Sequence, residues 1–290
     1  MPSTIRSDGH QWPASRASQF FSTLWARRRD RSTRTVEVYG DEAVYRFVCS
    51  GLTEYARAAG LFVKEPGTVR WIRDTVRPGD VFYDVGANIG IFTIIAARRV
   101  GPTGHVVAFE PHAANFAALI GNIAANALGD HVTVVNAAVH RSSGFHDFNY
   151  ASLDVGSSRS QLMGNRVPGE SPFATVAREL KCSVAIDQLI ADGLMPRPTH
   201  IKIDVDGNEP AIVAGMAGLL SSDGRPRSVS IEVNAADEAR FERQLGLYGY
   251  RLASTNVTRT GAKRKRRSRW TADDRYNAIF EATAPIVAGE

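Results

Sequence analysis

The chain contains only two cysteines, Cys49 and Cys182, in 290 residues. Two thiols cannot build a disulfide framework or a cysteine zinc site. Both sit among apolar neighbours and read as buried thiols of a reducing compartment, so a cytoplasmic protein is expected. Long uncharged apolar runs are absent as well. The longest, near 91–97 and 211–220, fall well short of the ~20 residues that span a bilayer, and a soluble protein is expected. No hydrophobic signal core opens the chain. Lysine is scarce, five residues against 30 arginines, a bias that reflects genomic base composition better than a binding function. The seven histidines are scattered, with none at the spacing of a zinc-binding helix. Internal repeats are missing too.

What remains is an ordinary globular composition, 43% hydrophobic and 22% charged, enough for one large domain or two small ones. The formal charge of +5 is unevenly spread. Residues 1–34 hold seven Arg against two Asp, and residues 259–275 hold eight Lys or Arg against two Asp. The rest of the chain is therefore acidic. The first 34 residues have weak periodicity and read as a basic flexible arm, with a transit peptide as the alternative.

From Asp41 the apolar spacing of Val44, Phe47, Val48, Leu52 and Tyr55 predicts a helix. A second helix is expected from Pro66 to about Val76. Strands are then expected at 81–85, 105–110, 132–135, 201–204, 228–233, 250–254 and 277–281, with helices at 89–99 and 113–127 among them. That alternation predicts a mostly parallel sheet covered on both faces. A Ser- and Gly-rich stretch, 141–181, breaks the rhythm and reads as extra strands plus a mobile flap near the site.

The densest signal is Val81-Phe82-Tyr83-Asp84-Val85-Gly86-Ala87-Asn88-Ile89-Gly90. A carboxylate closes a strand, and two glycines flank the turn into a helix. Gly86 permits a sharp turn and close approach of a ligand, and Gly90 permits tight packing of helix on strand. Twenty residues later Glu110 ends the next strand, where an acid can accept both hydroxyls of a ribose. A dinucleotide would want glycine where Asn88 stands, to admit its pyrophosphate. S-adenosylmethionine has the ribose and adenine without the phosphates, and its amino-acid end suits polar groups such as Asp84 and Asn88. The spacing therefore favours the methyl donor over a nicotinamide cofactor.

In three blocks the sequence resembles the FkbM-type S-adenosylmethionine-dependent methyltransferases. These are Asp84–Gly90, Ala108-Phe109-Glu110-Pro111, and Ile201-Lys202-Ile203-Asp204-Val205-Asp206-Gly207-Asn208-Glu209. Val184–Leu189 and Ile231-Glu232-Val233 match more loosely. The resemblance spans about residues 65–235, and the family more often carries Glu where this chain has Asp206. It implies a class I methyltransferase (Rossmann-like) α/β fold, with a seven-stranded mostly parallel sheet, helices on both faces and an antiparallel seventh strand. It also implies O-methylation of a sugar or secondary-metabolite hydroxyl. Residues 1–40 would then be the arm, 41–78 helices covering the site, and 79–290 the cofactor-binding domain. The cofactor residues implied are Asp84, Gly86, Asn88, Gly90, Glu110, Pro111 and Asp204, with Asn136 and Ala138 near the adenine.

Methyl transfer from a sulfonium is an in-line displacement in which the protein aligns the acceptor and receives its proton. Asp204 is the best candidate for base or acceptor-orienting group, and Lys202 either pairs with it or points to the opposite face. Asp206 and Glu209 are candidate substrate contacts; alternatively Asp206 or Asn208 caps the next helix and Glu209 sits in its first turn. A calcium loop fails because its sixth and twelfth positions would be Glu209 and Gly215. A magnesium site from Asp204, Glu232 and Asn234 stays open as an alternative to a metal-free site. His112 and His200 read as loop or surface residues, while His140 and His146 could approach an acceptor.

The run Lys263-Arg264-Lys265-Arg266-Arg267 reads as a solvated loop or as the seat of an anionic acceptor, a nucleotide-sugar or lipid-linked glycan, contacted by Lys263 and Arg264. The rival function is a nucleic-acid-binding protein or nucleic-acid methyltransferase. It lacks the cysteine of a base C5-methyltransferase at the fourth strand, a Pro-Pro-aromatic turn there, and aromatics interleaved with the basic run.

Overall fold

The computed structural model describes residues 3–6, 33–40, 43–162, 174–257 and 275–283. Lys263, Arg264 and the rest of the basic run lie outside these residues, as do most of the arm and positions 163–173 of the expected flap.

Seven strands make the main sheet: β4 (Val81–Val85), β5 (His105–Phe109), β6 (Val132–Val135), β11 (His200–Ile203), β12 (Ser228–Asn234), β13 (Tyr250–Val257) and β14 (Arg275–Ala282). Their order is β13-β14-β12-β11-β4-β5-β6. The five strands from β12 to β6 run parallel, and β14 is antiparallel to both its neighbours. The chain works outward from β4 to β6 and then returns to β11 on the other side of β4. That reversal opens a crevice at the carboxyl ends of β4 and β11, the place where such sheets bind ligands.

Period-two alternation sorts the strands into two cores. Tyr83, Val85, Val107, Phe109, Ile201 and Ile203 face one side. There they meet α6 (Glu209–Ala214), α7 (Ala217–Leu220) and α8 (Glu238–Gly246). Phe82, Val106 and Ala108 face the other, against α2 (Pro66–Thr75) and α3 (Ile91–Val100). Here the sheet is not wholly apolar. Asp84, His200, Lys202, Ser228 and Ser230 are all buried on it, a polar seam running up to the crevice.

Before the sheet stand β1 (Ser3–Arg6), β2 (Arg34–Tyr39), β3 (Val44–Cys49) and α1 (Leu52–Ala59). The helix expected from Asp41 begins only at Leu52. Residues 44–49 are a strand instead, with Tyr45, Phe47 and Cys49 buried in alternation. Its edge is satisfied by a helix, α4 (Ala113–Ala125): Asn122 Oδ1 accepts from Val48 N at 2.7 Å, and Asn126 at its end accepts from Arg46 N at 3.0 Å. Tertiary pairing and β-branched content outweighed a coincidental helical spacing.

The irregular stretch forms a second sheet from β7 (Ala138–Val139), β8 (Gly144–Tyr150), β9 (Gln161–Leu162) and β10 (Ala177–Val184), in the order β7-β10-β8-β9. Alternation along β10 exposes Cys182, so only Cys49 is a buried thiol. His200 is buried too, its Nδ1 2.7 Å from Ser228 Oγ and its Nε2 3.0 Å from Arg227. Burial and the Arg227 charge push its pKa down to about 4, so it is a neutral structural bridge and not a surface group.

Candidate active site

The turn after β4 is built by glycine where nothing else fits. Gly86 has φ +80°, and a Cβ on it would meet the Asp204 carbonyl at 1.9 Å. A Cβ on Gly90, φ +89°, would meet Leu119 at 2.6 Å. Asn88 takes the left-handed region at φ 52°, which asparagine tolerates better than most residues. The turn ties β4 to β5: Gly86 and Ala87 donate to the Phe109 carbonyl at 3.0 Å.

At the end of β5, Glu110 is 5% exposed. Its Oε2 accepts from Asn88 N at 2.7 Å and its Oε1 from His112 N at 2.8 Å. Burial nonetheless pushes its pKa up to about 7. Two oxygens carry four acceptor sites, so the carboxylate keeps capacity for two further donors.

One cavity of about 190 Å³ opens at the crevice. Gly86, Asn88, Glu110, Pro111, Lys202, Asp204 and Asp206 all line it, together with Glu232. Of the expected cofactor residues, Gly90 and Asp84 are not among its walls, and Asp84 is the one with a charge. It lies fully buried beneath, accepting from Thr93 Oγ1 at 2.7 Å. Lys202 pairs in register with Asp84 across β11 and β4 and shares a face with Asp204 two residues on. Its Nζ is 3.4 Å from Asp84 Oδ1 and 3.4 Å from Asp204 Oδ2, and 5.0 Å above the Phe92 ring. Burial opposes the ammonium charge, but Asp204, Asp84 and Glu65 outweigh it and keep the amine protonated. Burial likewise opposes the Asp204 charge, and Lys202 overcomes it, holding that carboxyl below its usual range.

The other carboxyls behave in the opposite way. Glu65, ahead of α2, is raised by burial and by the Asp204 charge. Its Oε2 accepts from Asn277 Nδ2 at 3.0 Å. Glu232 is raised well above its ordinary value by burial and by Asp204. Arg275 bridges Glu232 and Asp206 at 3.2 Å each. Glu209 is outside the cavity walls: it accepts from Gly207 N at 3.0 Å and Val205 N at 3.2 Å, bracing the loop after β11. Asn234 Oδ1 accepts from Asp237 N at 2.9 Å and lines a separate small cavity. Among the described residues, no group of three or more His, Cys, Asp and Glu is arranged to hold a metal ion.

Asn136 and Ala138 also lie off the main cavity. Asn136 Nδ2 donates to the Glu110 carbonyl at 2.8 Å, and Ala138 lines a smaller adjoining cavity with Pro111 and Phe148. His140 and His146 face each other, ring centroids 4.8 Å apart, away from these walls. His112, by contrast, is buried in the main wall, 2.9 Å from the Ser152 carbonyl. The sequence reading missed His112, Asn115, Arg57, Lys64 and Glu65 as lining residues, while Ser157–Ser160, within the stretch expected to form a flap, also line the cavity. Arg57, Lys64 and Glu65 come from the segment around α1 and α2, where no short motif marks them.

A model of the methyltransferase FkbM domain matches residues 84–252. The chain belongs to the FkbM methyltransferase family. Hexuronic acid methyltransferase AglP of Haloferax volcanii is 28% identical over 192 residues, 66% of this chain and 72% of that protein. The 31-O-demethyl-FK506 methyltransferase FkbM of Streptomyces tacrolimicus is 32% identical over 196 residues, 58% of this chain and 70% of that protein. Among solved structures, a methyltransferase FkbM from Methylobacillus flagellatus gives a TM-score of 0.44 at 15% identity, covering 79% of this chain and 54% of that one. A SAM dependent methyltransferase from Aquifex aeolicus gives 0.43 at 10%, covering 80% and 97%. As an FkbM-family member the chain is an S-adenosylmethionine-dependent methyltransferase. No helix among the described residues is long and apolar enough to cross a membrane.

Proposed function

We propose that this FkbM-family enzyme methylates a hydroxyl of a carbohydrate or related natural product. The observation that carries this reading is the single cavity shared by the buried Glu110 carboxylate, the Gly86–Asn88 turn and the Lys202–Asp204 pair. These residues suit S-adenosylmethionine: a buried acid with spare acceptor capacity for a ribose, and backbone made approachable by glycine. Pro111 lies beside that acid, and Asn136 and Ala138 stand behind it toward the adenine. When bound, the sulfonium supplies an already activated methyl group.

The remaining work falls to the protein. Asp204, kept ionised by Lys202, orients the acceptor hydroxyl for in-line attack. Glu65 and Glu232 line the same cavity and, where ionised, are the carboxylates assigned to take the hydroxyl proton. Asp206 and the basic residues Lys263 and Arg264 are assigned to acceptor binding. The names of the two relatives support the acceptor class, one a hexuronic acid methyltransferase and the other acting on an O-demethyl compound.

Incubation with methyl-labelled donor and fractionated extract tests the reading: label is expected in glycan or small-molecule fractions, and label entering only nucleic acid overturns it. Because Asn234 is engaged by Asp237 N and Glu232 by Arg275, the magnesium alternative is disfavoured. Transfer measured in EDTA is expected to proceed at full rate.

A further inference from the structure

Resting on that cofactor assignment, we propose that Arg57 of α1, outside the segment matched by the family model, anchors the carboxylate of the cofactor's amino-acid end. Five carboxyl groups sit in the cavity walls: Glu65, Glu110, Asp204, Asp206 and Glu232. Such walls attract the sulfonium and ammonium of S-adenosylmethionine and repel its carboxylate. A cation must therefore meet that group, and four line the cavity: Arg57, Lys64, Arg159 and Lys202.

Lys202 is committed to Asp84 and Asp204 and is 1% exposed. Lys64 is 56% exposed and turned to Glu65 at 3.8 Å. Arg159 is exposed on the segment 157–160 that roofs the cavity, its backbone N donating to Asp206 Oδ2 at 2.7 Å. Arg57 is half-buried, and its Nε donates to the Gly156 carbonyl at 2.5 Å. That bond fixes the plane of the guanidinium and leaves its two terminal nitrogens for a carboxylate, the fork geometry arginine provides. Its charge acts on Glu110, Asp204 and Asp206 alike. It lines the same cavity as Glu110 and Asp204, the residues assigned to the ribose and to the acceptor.

Calorimetry on the full chain with two ligands tests this without any acceptor. S-adenosylhomocysteine carries the carboxylate, whereas methylthioadenosine keeps the adenine and ribose and has none. Arg57→Ala is expected to weaken S-adenosylhomocysteine by roughly 10- to 100-fold and methylthioadenosine by less than about twofold. Arg57→Lys, which keeps the charge and loses the fork, is expected to fall between. Equal weakening of both ligands would assign Arg57 to the roof alone and overturn the proposal, as would no weakening of either. A wild-type protein that binds neither ligand overturns the cofactor reading itself, an outcome distinct from the other two.

Discussion

At the scale of single residues, Glu110 has the sharpest consequence. Burial raises its pKa from 4.5 to about 7, so the folded protein holds this proton more tightly than the unfolded chain. It therefore costs stability progressively as pH rises from about 4.5 to about 7. Ligand binding has the opposite sign. In the proposed cofactor assignment two ribose hydroxyls donate to the ionised Glu110 carboxylate, so affinity for S-adenosylhomocysteine is expected to rise as pH passes through 7 and then level off. Calorimetry across that range should also register release of a proton on binding below it. Glu110→Gln is expected to remove the pH dependence and weaken binding by about 1–3 kcal/mol; a variant that keeps the wild-type pH curve would exclude Glu110 from the ribose site. Gly86 and Glu110 were legible in the sequence because their chemistry admits few substitutes. Lys202 was half legible: the strand period put it on one face with Asp204, but only the β11–β4 register shows that Asp84 shares its charge. Register is a long-range fact, and a single sequence does not carry it.

Elements tell a different story. The strands of the main sheet were readable as short apolar runs between turn residues, including the antiparallel last strand. β3 was not, since Val44, Phe47 and Val48 fit a helical period by chance while the side chains of Asn122 and Asn126 hold its edge from α4. Part of the stretch read as a flap forms one side of the cavity, its roof. Residues 157–160 line the cavity, and the roof is held by Arg57 on Gly156, by Asn88 Nδ2 on the Ser157 carbonyl at 2.8 Å, and by both ends of Asn115. Asn115 Oδ1 accepts from Gly156 N at 2.7 Å, and its Nδ2 donates to the Ser157 carbonyl at 3.0 Å. Asn115→Ala removes both bonds from a buried position. Hydrogen exchange in 152–160 is expected to quicken by about 10- to 100-fold while β4, β5 and β11 keep their protection. Unchanged exchange in the roof would mean that its other anchors suffice.

For the whole molecule, charge separates two functions that composition confused. The positive balance comes from residues 1–34 and 259–275, whereas the cavity walls are rich in carboxylates. A cationic methyl donor favours such walls, and a phosphate-rich acceptor does not. In the sequence the basic run precedes Arg275, whose guanidinium bridges Asp206 and Glu232. An acceptor with its anionic group outside the cavity and its hydroxyl within would use both: the loop for capture, the carboxylates for chemistry. Replacing Lys263, Arg264, Lys265, Arg266 and Arg267 by Gln removes five charges. Thermal unfolding and S-adenosylhomocysteine affinity are expected to stay as in the wild type. The KM for an anionic carbohydrate acceptor is expected to rise several-fold at low salt, and the difference to vanish as ~1 M salt shortens the screening length to ~3 Å. Identical KM and salt curves in the two proteins would make the run a solvated loop, and the acceptor would then be recognised by the cavity alone.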